Sequence, residues 1–289
     1  MKKTNKIDNA KEISMKYIFL FTACMSIIAV ILISVYLFAN GIPAMRKIGF
    51  AEFLLSKKWM PGNGEYGIFP MIIGSLYVTA GAILIGVPIG VFTAVFMAFY
   101  CPMGIYRPIK ALIEVLAGIP SVVYGFFGLV VIVPTVRDLF GMGNGLSILS
   151  ASILLGMMIL PTIIGLSESA IRAVPENYFE GALALGATKE RTIFLVMLPA
   201  AKSGLLAGVV LGIGRAIGET MAVVMVAGNQ TRIPEHILQG VRTLTANIVL
   251  EMGYATDLHR ESLIATAVVL FVFILLINFS LTLIKRRTD

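Results

Sequence analysis

Arg215 and Glu219 stand four residues apart inside the stretch from Ser203 to Ala227, which is otherwise free of ionisable side chains. Arg215 is twelve residues from Ser203, so on a helix rising 1.5 Å per residue it lies about 18 Å along the axis, near the middle of a bilayer. An arginine there costs about 2.5–3.5 kcal/mol on insertion scales, so it must face a cavity or a partner. The i, i+4 spacing puts Glu219 on the same helical face, within reach of the guanidinium. Two kinds of chemistry fit. In the first, the pair is a buried salt bridge, and Gly204, Gly208 and Gly212 form a small-xxx-small series for close helix packing. In the second, the glycines leave room for an anion and Arg215 offers its planar fork to an oxyanion. Glu219 then acts as a filter, accepting a hydrogen bond from a protonated oxyanion and repelling a fully ionised one such as sulfate. Metal chemistry has no support: His236 and His259 are 23 residues apart with no ligand cluster. Cys24 and Cys101 form no disulfide framework or metal-ligand spacing and read as free thiols.

The elements that hold this pair must be membrane spans. The chain has 289 residues, 58% hydrophobic and only 13% charged, with a mean hydropathy of +0.92. A soluble domain carries about 25% charge, so an all-α polytopic membrane protein is the fold class expected. The net charge of +7 is not a nucleic-acid signature, because the basic residues flank the apolar blocks as a topology signal would. Six spans are predicted: Tyr17 to Ala39, about Ile68 to Phe99, Ile109 to about Val133, Leu146 to about Leu166, Ser203 to Ala227, and Leu263 to Ile284. Pro70 and Pro88 are expected to bend or end helical segments in the second. The first follows a basic tail (residues 1–16), and its 23-residue run without a cleavage site reads as an uncleaved anchor within the transmembrane body of residues 17–289. Both ends on the cytoplasmic side give fourteen Lys and Arg there against eight opposite, as the positive-inside rule favours. A long external loop, 228–262, is large enough to bind something outside. Lys110 and Glu114, four apart, read as a solvated surface pair. Pro120 kinks the third span and frees a carbonyl for Ser121 or water to satisfy, and Ser121 and Tyr124 read as packing or pathway residues.

Residues 173–199 are too polar to span and too apolar to be a linker. Pro175 and Glu176 suit a helix start, Gly186 a left-handed stop, and Thr188 a second cap. The spacing is Glu180-Gly181-Ala182, three residues, Gly186, nine residues, then Val196-Met197-Leu198-Pro199. This resembles the EAA loop of ABC importer permeases, departing from it at Gly181 and Val196. The resemblance implies a type I ABC importer permease fold in which Glu180, Gly181, Ala182, Gly186, Leu198 and Pro199 form a coupling helix that docks on an ATPase subunit. No phosphate-cradling loop G-x-x-x-x-G-K-[ST] occurs in the chain itself. Energy must come from another polypeptide, and the chain is expected to be a transport subunit, not an enzyme, with no catalytic residues, metal or cofactor.

A second resemblance narrows the substrate. The run Gly214-Arg215-Ala216-Ile217-Gly218-Glu219-Thr220-Met221-Ala222-Val223, ending near Gly228-Asn229, is similar to the last-but-one span of phosphate-specific transport permeases, C-type subunit. Trp59-Met60-Pro61 with Gly67-Ile68-Phe69-Pro70, and Ala117 to Gly125, agree. The family implies inorganic phosphate as substrate, with Arg215, Glu219, Thr220, Ser121 and Tyr124 along the pathway. It implies a heterodimer with a homologous A-type permease, two ATPase subunits, an extracytoplasmic phosphate-binding protein, and a place in the bacterial cytoplasmic membrane. A same-fold permease for sulfate or molybdate is the nearest rival, against which the Arg-x3-Glu pair argues. A secondary transporter or channel is the other, but the paired broken helices of internal repeats are not evident and it has no need of an EAA loop.

Overall fold

The computed structural model describes residues 6–141 and 143–286, with side chains from 11 to 280. Lys2, Lys3 and Arg287, counted in the topology argument, lie outside the described residues. The chain runs α1 (Lys6–Ile48), α2 (Phe50–Leu55), a two-residue hairpin β1 (Trp59–Met60) and β2 (Glu65–Tyr66), then α3 (Phe69–Phe99), α4 (Met103–Gly118), α5 (Ser121–Phe127) and α6 (Val133–Phe140). It continues through α7 (Ile148–Arg172), α8 (Glu176–Ala184), α9 (Lys189–Thr192), α10 (Leu198–Ala200), α11 (Lys202–Gly218), α12 (Met221–Val226), α13 (Leu244–Glu251) and α14 (Asp257–Arg286). Among the described residues, five helical stretches are long and apolar enough to cross a membrane: Lys11–Ile48, Phe69–Phe99, Ser121–Phe140, Ile148–Arg172 and Asp257–Ser280. Counting the pair Lys189–Ala200 and Lys202–Gly218, bent by 70°, as one crossing brings the total to six.

Lipid is as apolar as a leucine side chain, so these helices associate through close packing and polar contacts, not through release of water. Small residues therefore decide where the backbones meet. The central helix is α7, sandwiched between α3 and α11. At the α3 crossing, a Cβ on Gly86 would lie 2.8 Å from Ile159 Cδ1, so only glycine fits there. A second layer pairs α1 with α14, where Phe38 meets Phe271 edge-on at 6.0 Å. The rest of α1 leaves Ile18, Phe19, Phe21 and Leu32 more than half exposed, an unworkable surface in water and an ordinary one in hydrocarbon.

Several expectations need correction. Pro88 neither ends nor interrupts α3, and Pro70 sits in its first turn, where a missing N–H costs nothing. The third span does not run from Ile109 to Val133. Pro120 drives Ile119 into extended backbone (φ −67°, ψ 128°), which isolates α4, a helix with no buried residue. The crossing starts at Ser121 and passes through a π-helical turn, Gly128–Ile132, to Phe140. The fourth reaches past Leu166 to Arg172. The 228–262 loop is largely folded into the body: Gly228 bridges to Val241, α13 packs on α14 and α3, and α14 already begins at Asp257. Buried Glu251 anchors that region by accepting from Trp59 Nε1 (3.0 Å), pairing with His259 Nε2 (2.8 Å) and bonding the Arg242 guanidinium, as a buried carboxylate must.

Candidate functional site

The fifth crossing has two unlike faces. Gly204, Gly208 and Gly212 turn toward α7: a Cβ on Gly204 would collide with that of Ala170, one on Gly208 would lie 3.1 Å from Leu166 Cβ, and one on Gly212 would lie 2.9 Å from Ile163 Cγ1. The space beside Gly208 and Gly212 is thus filled by α7 and is not the room for an anion that the second of the two sequence readings expects there. The glycines with room are Gly214 and Gly218, whose Cβ positions have no atom within 4 Å. They share the other face with exposed Leu211 and Met221 and with half-buried Arg215.

The i, i+4 relation of Arg215 and Glu219 does not survive in the structure. Helix α11 ends at Gly218, and Glu219 is extended (φ −67°, ψ 135°). Glycine at 212, 214 and 218 weakens the helix over its last turns, so the chain breaks there and restarts as α12. Among the described residues, Arg215 has neither an ion pair nor a hydrogen bond. The Glu219 carboxylate instead caps α12, Oε1 accepting from Ala222 N at 3.2 Å, a favourable place for an anion at a helix start. Among the described residues its other oxygen has no hydrogen-bond partner. Thr220 Oγ1 donates to Gly218 O (3.2 Å), and Thr245 Oγ1 at the start of α13 donates to Glu219 O (3.0 Å). Thr245 was not foreseen; it is 26 residues downstream, and nothing local in the sequence marks it.

α5 closes the other side of the break. Gly125 lets α12 approach so closely that a Cβ there would lie 2.7 Å from Met225 Sδ and 3.0 Å from Ala222 Cα. Tyr124, one residue before, is buried. The Tyr124 hydroxyl donates to Leu116 O at 2.9 Å. That carbonyl, near the break at Pro120, is therefore satisfied by Tyr124 and not by Ser121, which sits half-buried at the start of α5.

At one end of the molecule, residues 173–199 form a rigid hairpin. Gly186 adopts φ +86°, with Gly186 N donating to Leu183 O (2.9 Å) and Ala187 N to Ala182 O (3.1 Å), the paired bonds of a glycine helix stop. Thr188 caps α9 through Arg191 N. Its base is pinned to the end of α3: Phe179 stacks on Phe99 at 5.8 Å, and Lys189 Nζ donates to Phe99 O at 2.8 Å. Glu180, Gly181, Gly186 and Pro199 are exposed, Ala182 and Leu198 half-buried, and Leu185 projects from the turn at 91% exposure. Lys110 pairs with Glu168 (2.6 Å) rather than with Glu114.

Comparison with known proteins agrees with this architecture. A probable ABC transporter permease protein, YqgH of Bacillus subtilis, is 41% identical over 270 residues, covering 89% of this chain and 87% of that protein. The phosphate transport system permease protein PstC of Mesorhizobium japonicum is 35% identical over 280 residues, 89% of this chain and 85% of its own length. Among solved structures, a chain of the MetNI methionine ABC transporter in inward-facing conformations superposes with a TM-score of 0.62 over 77% of this chain and 96% of that one, at 22% identity. That likeness identifies the fold as that of a type I ABC importer permease. Residues 86–289 match the family described as binding-protein-dependent transport system inner membrane component. The chain is a multi-pass membrane protein and belongs to that family.

Proposed function

We propose that this chain is the C-type permease of an ATP-driven importer of inorganic phosphate, forming half of a pathway completed by a homologous A-type permease. Arg215 carries the reading: a half-buried guanidinium beside a helix break within a span, next to open space at Gly214 and Gly218, with no ion-pair partner among the described residues. A charge so placed is stabilised by a ligand, and its planar fork suits an oxyanion. The free oxygen of Glu219 accepts the proton of hydrogen phosphate and repels sulfate, which has none. Ser121, Tyr124 and Thr220 complete the polar lining. The hairpin around Gly186 seats the ATPase, with Glu180, Gly181, Ala182, Leu198 and Pro199 shaping it and Leu185 as its apolar knob. Two ATPase subunits supply the energy, an extracytoplasmic binding protein delivers phosphate, and both chain termini face the cytoplasm, as the distribution of lysine and arginine supports.

The test is Arg215→Gln, which removes the cation and keeps polar volume. Uptake of labelled phosphate should fall about a hundredfold, as expected for a lost bidentate charge-assisted contact of about 3 kcal/mol, while the complex assembles at its usual yield. Undiminished uptake refutes the reading, and so does loss of assembly, which would make Arg215 a packing residue.

A further inference from the structure

Another charge lies inside a membrane span, and the transport reading makes no use of it. Glu168 of α7 is 1% exposed and accepts three hydrogen bonds: from Tyr106 Oη (2.6 Å), Lys110 Nζ (2.6 Å) and Arg172 Nε (2.8 Å). Arg172 also lies over the Tyr106 ring at 4.8 Å and donates to Met97 O at the end of α3 (2.8 Å). The hydrogen bond to Glu168 holds the Lys110 ammonium above its ordinary value against the opposing effect of burial. Two of the three donors come from α4. That helix buries no residue of its own, so apolar packing cannot be what fixes it. Its attachments are polar: this node near its start, and the Tyr124 hydroxyl on Leu116 O near its end.

The position of the node gives it a use. Arg172 is the last residue of α7, directly before residues 173–199. From Lys110 to Leu116 is six residues, about 9 Å along a helix, and α5, which carries Tyr124, packs on α12 just past the break that follows Arg215. We propose that Glu168, Tyr106 and Lys110 are positioning residues of the transport cycle, locking α4 to the end of α7 so that displacement of the 173–199 hairpin reaches Tyr124 and Arg215 through α4. A charge-paired node suits this task, because packed, hydrogen-bonded groups switch between discrete arrangements and do not deform smoothly. The inference rests on the importer reading.

The experiment uses the full complex in proteoliposomes, in a Cys24→Ser, Cys101→Ser background with Met221→Cys as a reporter on the open face, where Met221 is 42% exposed. Labelled-phosphate uptake by the otherwise unaltered chain settles the importer reading first; no uptake there overturns that reading. Given uptake, Lys110→Met and, separately, Tyr106→Phe are compared with it, each leaving two donors on Glu168. Both should keep ATP hydrolysis while phosphate moved per ATP falls about tenfold, within the range of typical coupling energies. Both should also lose the change in maleimide labelling at position 221 that ATP produces. Lys110→Arg, which can still bond Glu168, should restore both readouts. Unchanged phosphate per ATP, or labelling that still responds to ATP in both variants, overturns the proposal. Reduced yield of both variants without uncoupling in the protein that remains would also overturn it, making the node a stabilising contact alone.

Discussion

Both faces of α11 are built around glycine, and they put it to opposite uses. On one, Gly204, Gly208 and Gly212 are filled by Ala170, Leu166 and Ile163 of α7; on the other, Gly214 and Gly218 border empty space beside an unpaired arginine. Two of the intramembrane charges, Glu168 and Arg215, divide in the same way. Glu168 has three donors, whereas Arg215 has no acceptor among the described residues. A charge satisfied by its own protein holds the protein together, whereas one left unsatisfied beside a cavity is available to something that passes.

The sharpest break of this comparison is Gly212→Leu. A leucine must enter where a Cβ alone already lies 2.9 Å from Ile163 Cγ1; overpacking of about 2–3 kcal/mol should cut the amount of protein in the membrane about thirtyfold. Immunoblots of membrane fractions measure it, and normal abundance would contradict the α7–α11 contact. Gly218→Leu should do the reverse, leaving abundance unchanged while phosphate uptake falls about tenfold, a barrier of about 1.4 kcal/mol. Normal uptake would move the pathway off this face. The smallest effect is expected of Glu219→Gln, whose amide oxygen can still cap Ala222 N. Phosphate flux should drop about fivefold, the worth of about 1 kcal/mol of hydrogen bonding, and sulfate should begin to compete. A variant with unaltered flux and sulfate exclusion would remove Glu219 from the site.

Much of this was readable from residues alone. Apolar block length located the crossings, and the turn at Gly186 with its cap at Thr188 followed from local backbone chemistry that neighbours in sequence settle. What stayed hidden depended on distance along the chain. Glu168 meets Lys110 from 58 residues away, so the sequence offered only the nearer Glu114 as partner. The break after Gly218 was missed because Arg-x3-Glu fits a helix; Gly212 was read for packing or for space, and Gly214 and Gly218 only as part of the family-like run. Met103 to Gly118 looked like part of a crossing because apolarity does not reveal which side of Pro120 the membrane segment occupies.

The glycine seam also bears on how the protein is made. α11 carries five glycines and an arginine in seventeen residues, a poor candidate for entering a bilayer unaided. α7 precedes it in synthesis and displays the Ile163, Leu166 and Ala170 surface onto which Gly204, Gly208 and Gly212 fit. The fifth crossing thus has, in an earlier one, a complementary surface to insert against, which would make the order of translation part of the folding route.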